Sequence, residues 1–331
     1  MWFGPVPVRE AAGAILAHSV DLQGTRLRKG RWLDAGDVAA LQAGGVAEII
    51  VARLGPGDVH EDAAAARLAA AVMVGATGLR ASVAATGRVN LHATARGVLC
   101  VDAEAVHELN RIDPAITLAT LRPYALVAEG AMVATLKIIP YAVAEAHLAR
   151  AEAAGTAAMT LAQPVLRRAT LIETVAGRDP GPKGGAAVAA RLDALGVVLG
   201  ETLRVPHDAA ALTRALAAAT GDLVLILTAS ATSDVQDVAP AAVVRAGGRV
   251  HHYGMPVDPG NLLFLGDLRE RPVIGLPGCA RSPALNGADW VLQRVVCGVP
   301  VTAEDIMAMG VGGLLKEIPT RPRPREADEH G

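Results

Sequence analysis

Short apolar runs alternating with stretches of helical periodicity organise the second half of the chain. Residues 223–227, 250–253 and 273–274 are such runs, and each ends in a polar loop rich in turn formers. Runs this short, bounded by turn residues and separated by helical patterns, predict strands of a mainly parallel sheet. Residues 169–174 and 197–205 continue the pattern upstream. Helices are predicted over 186–195, from an Asp208 cap to 219, and from an Asp237 cap to about 246, with Pro240 in the tolerant first turn and Gly247-Gly248 beyond the end. Ser282-Pro283 reads as a further helix start, with Leu285, Leu292 and Val296 on one face.

The first half divides by the same signals. Residues 1–54 read as a small β/α unit: a strand over 14–20, a turn at 26–30, a helix over 35–43 closed by Gly44-Gly45, and a strand over 48–51. Residues 55–160 read as an α+β region. It holds an Ala-rich helix over 60–74, short strands at 87–91 and 97–101, a helix from Asp102 to 110, a long strand over 131–139 stopped by Pro140, and a helix over 142–154 closed by Gly155. Lys137, Arg88 and Asn90 read as solvated positions rather than site residues. A linker over 156–166 leads to an α/β domain over 165–300, and a tail over 301–331 ends in alternating Arg and Pro that reads as extended chain.

Composition narrows the class of molecule. With 331 residues, 52% hydrophobic but only 2% aromatic, the core must be built from Val, Leu, Ile and Ala. A net charge of −2 leaves no electrostatic footprint for nucleic acid. Cys100, Cys279 and Cys297 are far apart, which argues against a disulfide framework or a structural zinc site and fits a reducing cytoplasm. No apolar stretch approaches the ~20 residues of a membrane span, and the start lacks a signal-type apolar core. Tandem His251-His252 on a strand point to opposite faces and cannot chelate one metal together.

Loops leaving the carboxyl ends of parallel strands line the crevice where open α/β sheets bind ligands. Three loops hold the candidates: 228–237, 254–261 and 275–283. They contribute Thr228, Ser230, Thr232, Ser233, Asp234 and Asp237; Asp258, Pro259, Gly260 and Asn261; and Pro277, Gly278, Cys279, Arg281 and Ser282. Asp237 and Ser282 stand at predicted helix starts, where free N–H groups and the helix dipole favour an anion such as phosphate. Plain capping is the equally weighted alternative for both. His207 reads as a surface loop residue. The segment 177–185 is neither a P-loop nor a dinucleotide fingerprint.

These residues resemble a known family. The order Ala229-Ser230-Ala231-Thr232-Ser233-Asp234-Val235-Gln236-Asp237, then Pro259-Gly260-Asn261-Leu262, then Gly275-Leu276-Pro277-Gly278-Cys279-Ala280-Arg281-Ser282 is similar to three motifs of one domain. It is the molybdopterin-binding domain of gephyrin-like molybdopterin adenylyltransferases and molybdotransferases. The resemblance implies a three-layer α/β fold with a mostly parallel sheet over 165–300, behind an N-terminal α+β region. Residues 28–51 also resemble a stretch preceding that domain in molybdotransferases, and segment 177–185 resembles its first strand-end loop. The chain departs from the pattern: the glycines of the first motif are replaced, Asn261 stands in place of a lysine, and the signature Asp-Asn-Ser-Ala-Met-Asp-Gly is absent.

The resemblance implies molybdopterin as ligand, with Asp237 as the catalytic and metal-associated carboxylate and Mg²⁺ and a nucleotide as accessory species. Two function classes follow. In the favoured one, the protein binds molybdopterin, or its nucleotide or molybdenum form, and presents it to a nucleotidyltransferase or an apo-molybdoenzyme. In the other it is a transferase that inserts molybdenum or moves a nucleotidyl group. A cytoplasmic homodimer, without nucleic-acid or membrane partners, is expected.

Overall fold

The computed structural model describes residues 1–22, 24–177 and 181–315. The chain divides into two compact units, the first made mainly of residues 1–161 and the second mainly of 162–315. The middle of segment 177–185 and the Arg-Pro run of the tail lie outside the described residues.

In the first unit, Trp2–Pro7, Glu48–Arg53 and Ile15–Leu16 form an antiparallel sheet in the order Trp2–Pro7, Glu48–Arg53, Ile15–Leu16. The helix Ala35–Ala43 is held by a capping box between Asp34 and Asp37 and stops at Gly44, as the sequence predicts. Residues 14–20 are not one strand: Ile15–Leu16 and Val20–Leu22 are separate, and Val20–Leu22 pairs with Thr25–Leu27. A second core gathers the helices Glu61–Val72, Ala103–Ile112 and Glu145–Gly155 around the antiparallel strands Arg88–Ala93, Ile116–Thr120 and Met132–Ile138. Residues 142–144, predicted as helix, are a short strand paired with Asp58–His60. Met159–Ala162 is a strand inside the predicted linker. Lys137 is not solvated freely, since Nζ lies 3.4 Å from Glu61 Oε2 and also donates to the Thr86 carbonyl.

The second unit carries the α/β fold. Its elements are β1 (Arg168–Val175), α1 (Lys183–Ala194), β2 (Val198–Pro206), α2 (Ala209–Ala218), β3 (Leu223–Leu227), α3 (Val238–Arg245), β4 (Arg249–Tyr253), β5 (Phe264–Leu268), β6 (Arg271–Leu276) and α4 (Gly287–Val296). The sheet order is β2-β1-β3-β6-β5-β4. Strands β2, β1, β3 and β6 are parallel, and β5 runs against β6 and β4. Strand β4 therefore runs in the same sense as the parallel set.

Every residue of β3 is buried, as a strand covered on both faces requires. One face, with Ile172, Val224 and Ile226, packs on Leu212 and Leu216 of α2 and Val243 of α3. The other, with Leu171 and Leu227, faces Gly184 and Gly185 of α1. This is the three-layer, mostly parallel arrangement.

The β5 strand is absent from the sequence reading. Its hairpin to β6 turns at Arg269 and Glu270, whose φ values are +55° and +65°. A turn of that hand normally announces itself with Asn or Gly, and this one does not. Across the hairpin Phe264 faces Gly275. A Cβ at Gly275 would lie 1.9 Å from the fully buried Phe264 ring. The glycine that opens the third motif is thus required by packing. Gly275→Ala is expected to overpack this position and destabilise the protein by about 1–3 kcal/mol or more, measured as a lower urea midpoint with an unchanged m-value.

Candidate functional site

From β1 the chain crosses to β2 on one side, and it returns as β3 on the other. The strand order reverses between β1 and β3, so helices following these two strands lie on opposite faces, and it is outside the carboxyl ends of such strands that open α/β sheets place their ligand crevice. Glu173 and Thr174 stand at this end of β1, and Thr228 follows β3.

Thr174 is fully buried. Its Oγ1 accepts the N–H of Ala229 at 2.8 Å and lies 2.8 Å from Nδ1 of His207. This single hydrogen bond fixes the orientation of the imidazole ring. His207, read from sequence as a bland loop residue, is therefore oriented within the crevice. Its charge interaction is one of the causes that lower the pKa of Asp237.

The first loop is stitched by its own side chains. Asp237 caps α3, as predicted, and both of its oxygens are engaged. Oδ1 accepts from Val238 N–H at 2.7 Å and Oδ2 from Ser233 N–H at 3.0 Å. The Ser233 and Val238 backbone bonds are the main causes that hold its carboxyl below the usual range. Asp234 accepts from Gln236 N–H at 2.7 Å, closing an Asx turn. Thr228 Oγ1 donates to the Ser230 carbonyl at 2.6 Å. Buried Thr232 offers its carbonyl to the hydroxyl of Tyr253, at the end of β4, at 2.9 Å. Burial, and then the charges of Asp234 and Asp237, raise the Tyr253 pKa.

The third loop joins the first through Arg281, whose Nη2 donates to the Thr228 carbonyl at 2.9 Å. Its structure differs from the predicted helix start. Residues 278–281 form a 3-10 turn, and α4 begins at Gly287 behind Asn286, which shares a capping box with Asp289. Ser282 is not its cap, and Leu285 is exposed.

The reason is Arg191 on α1. It donates to Asp289 at 2.6 Å and to the carbonyls of Ala280, Ser282 and Ala284 at 3.0, 2.8 and 2.9 Å. A helix starting at 283 would need the Ser282 and Ala284 carbonyls for its own ladder.

The second loop is tied to the same region by backbone atoms. Pro259 accepts the N–H of Gly287 at 2.8 Å. A Cβ on Gly260 would lie 2.7 Å from that nitrogen, so a side chain there is excluded. Asn261 Nδ2 reaches the Met255 carbonyl at 3.4 Å. Asp258 pairs by backbone with the stretch 313–315.

The start of α4 is therefore closed to an anion. Gly287 N–H is taken by Pro259, Ala288 N–H by Asn286, and Asp289 adds a buried carboxylate. At the first loop the N–H groups of Ser230 and Ala231 have no partner among the described residues, and both residues are exposed. No group of three His, Cys, Asp or Glu among the described residues is disposed to hold a metal ion. No described helix is long and apolar enough to cross a membrane.

Two outcomes test this anatomy. Asp237→Asn keeps one acceptor oxygen and presents an NH₂ group to a backbone N–H, so it is expected to lose about 1–2 kcal/mol of stability. The depressed carboxyl stabilises the fold fully above its unfolded pKa of about 3.9 and loses that contribution as pH falls through the folded value. The gap between wild type and Asp237→Asn should accordingly narrow in acid, which urea melts at neutral and acid pH would record. Arg191→Ala leaves Asp289 as an unpaired buried carboxylate and should cost about 3–5 kcal/mol, visible as a lowered thermal midpoint.

A family profile described as a domain of unknown function (DUF8806) matches residues 5–53. No curated protein matches the chain. Among solved structures, the chain is similar to the molybdopterin biosynthesis moea protein from Pyrococcus horikosii, at 15% identity and a TM-score of 0.27, covering 92% of this chain and 75% of that one. It is also similar to a molybdenum cofactor biosynthesis protein from Pyrococcus furiosus, at 13% identity and a TM-score of 0.23, covering 93% of this chain and 65% of that one. Superpositions this loose carry no weight for function, which rests on the residues of the crevice.

Proposed function

We propose that the protein acts in molybdenum cofactor biosynthesis by binding molybdopterin, or its nucleotide or molybdenum form, in the crevice between β1 and β3. The observation that carries this reading is the joining of two motif loops there. Arg281 of the Gly-Leu-Pro-Gly loop bonds Thr228 of the loop that ends in Asp237. The exposed N–H groups of Ser230 and Ala231 suit the ligand's terminal phosphate, as backbone donors suit anions elsewhere. Tyr253 and His207 add a polar wall.

The engagement of both Asp237 oxygens by backbone N–H groups supports presentation of the cofactor over transfer chemistry. In this reading Asp237 shapes the loop, and a nucleotidyltransferase or an apo-molybdoenzyme receives the cofactor. Mg²⁺ takes one or two carboxylates beside phosphate oxygens, and with both Asp237 oxygens held by backbone N–H groups no step is assigned to it. The transferase alternative is supported by the His207–Thr174 pair beside Asp237, which orients an imidazole toward the crevice.

The test is incubation of the full chain with molybdopterin, then with ATP or CTP, molybdate and Mg²⁺, resolving binding by calorimetry from turnover by product analysis. Binding without turnover is expected. Asp237→Asn should bind molybdopterin as well as wild type or slightly more tightly, since a negative charge near the phosphate is removed. Turnover that falls by orders of magnitude in Asp237→Asn would establish the transferase instead. Failure of the wild type to bind molybdopterin would end the cofactor reading.

A further inference from the structure

The end of the sheet opposite the crevice carries a cavity of about 300 Å³, at the lower end of the range for small-molecule sites. Leu265 and Asp267 alternate onto one face of β5, and both line it. The other wall is Val295 in the last turn of α4, with Val299 and Val301 in the stretch that follows. That wall is held in place by the protein itself. Val299 N–H donates to the Arg294 carbonyl at 2.9 Å, and the nearly buried Arg294 donates to the Pro300 carbonyl and pairs with Asp305 at 3.2 Å.

The polar side chains of the lining are His251, Asp267 and Glu270, and no lysine or arginine belongs to it. His251 Nε2 lies 3.0 Å from Asp267 Oδ2, and the exposed Arg249 reaches the same oxygen only at 3.9 Å. Asp267 Oδ1 has no hydrogen bond among the described residues. Glu270, in the turn that joins β5 to β6, has neither a hydrogen bond nor an ion pair among them. Two carboxylates with spare acceptor capacity thus border an otherwise apolar space. A metal ion is not their match, because no group of three His, Cys, Asp or Glu among the described residues is disposed to hold one. A neutral or anionic ligand would leave the carboxylates uncompensated, whereas a cation on an apolar body is complementary to both parts of the lining.

We propose that this cavity binds a small apolar amine, its ammonium head donating to Asp267 and Glu270 and its hydrocarbon body lying on Leu265, Val295, Val299 and Val301. An ammonium group carries three donors, enough to serve both acids. Removing the hydrocarbon from water supplies the rest of the affinity. None of these residues belongs to the three motif loops, so the assignment is independent of the cofactor reading. It gives the α/β unit a second small-molecule site, near the start of β6, while the crevice lies beyond the end of that strand.

The experiment is a titration of the full chain with cyclohexylamine and with cyclohexanol, followed by the NMR shifts of the protein. The probes share a ring and differ in the charged head. The wild type should prefer the amine by about fivefold, the scale of a partly exposed ion pair, and the preference should shrink in high salt. With Asp267→Asn and Glu270→Gln combined, it should fall to near unity while cyclohexanol still binds. Val301→Phe keeps both acids and fills the space between the walls, so it should weaken both probes by about tenfold. Thermal midpoints check that each variant folds, and the exposed-edge acid pair decides the matter if Val301→Phe does not. Equal binding of the two probes by the wild type, or an amine preference that survives loss of both carboxylates, would overturn the proposal. So would a folded Val301→Phe that binds like the wild type, or a wild type that binds neither probe.

Discussion

The architecture of the crevice depends on the guanidinium of Arg191. It is nearly buried, as is its partner Asp289, and it spends its donors on that carboxylate and on carbonyls of the loop after β6. Carbonyls so placed would otherwise be drawn into a helical ladder. By holding them, Arg191 keeps residues 282–286 out of the helix, which starts at Gly287 behind the Asn286 cap. The same tether leaves the preceding 3-10 turn free to direct Arg281 at Thr228. An arginine suits this task because its planar fork can serve several acceptors while its charge is balanced by one buried acid.

The edge of the sheet has two chemically distinct sides because β1 alternates. Glu173 turns to the α1 side, beside Arg204 and Arg281, and Thr174 turns to the α2 and α3 side, beside His207 and the Asp237 loop. One strand therefore places a charge-bearing wall and a hydroxyl-bearing wall around one crevice. Their separation follows from the pleat alone.

Much of this was legible in the residues. The all-apolar run of β3, the Asp237 cap, the Asp208 cap and the glycine-closed helix at 35–43 stand as expected, because each depends on local chemistry. What escaped depends on partners far along the chain. Ser282 carries a good helix-start signal, and Arg191, 91 positions upstream, overrides it. The run at 264–268 carries no hairpin signal, since Arg269 and Glu270 make a left-handed turn without the residues that usually mark one. His207 looked like any loop histidine until the fold brought Thr174 beneath its ring. Glu173 left a faint signal, an acid inside an otherwise apolar strand, which identifies a buried charge only once the sheet is known to be covered on both faces.

The second loop carries a consequence for how such a surface can diverge. Its course is held by main-chain atoms: Pro259 to Gly287, Met255 to Asn261, Gly254 to Leu263, and Asp258 to residues 313 and 315. Main-chain ties survive the exchange of side chains, so exposed positions of this stretch, unlike Gly260, can drift in chemical character without the stretch losing its path. Asn261 sits on such a stretch. The first loop is the opposite case, because Thr228, Asp234 and Asp237 fold it with their own side chains. Selection for a new ligand would thus find the second loop permissive and the first resistant.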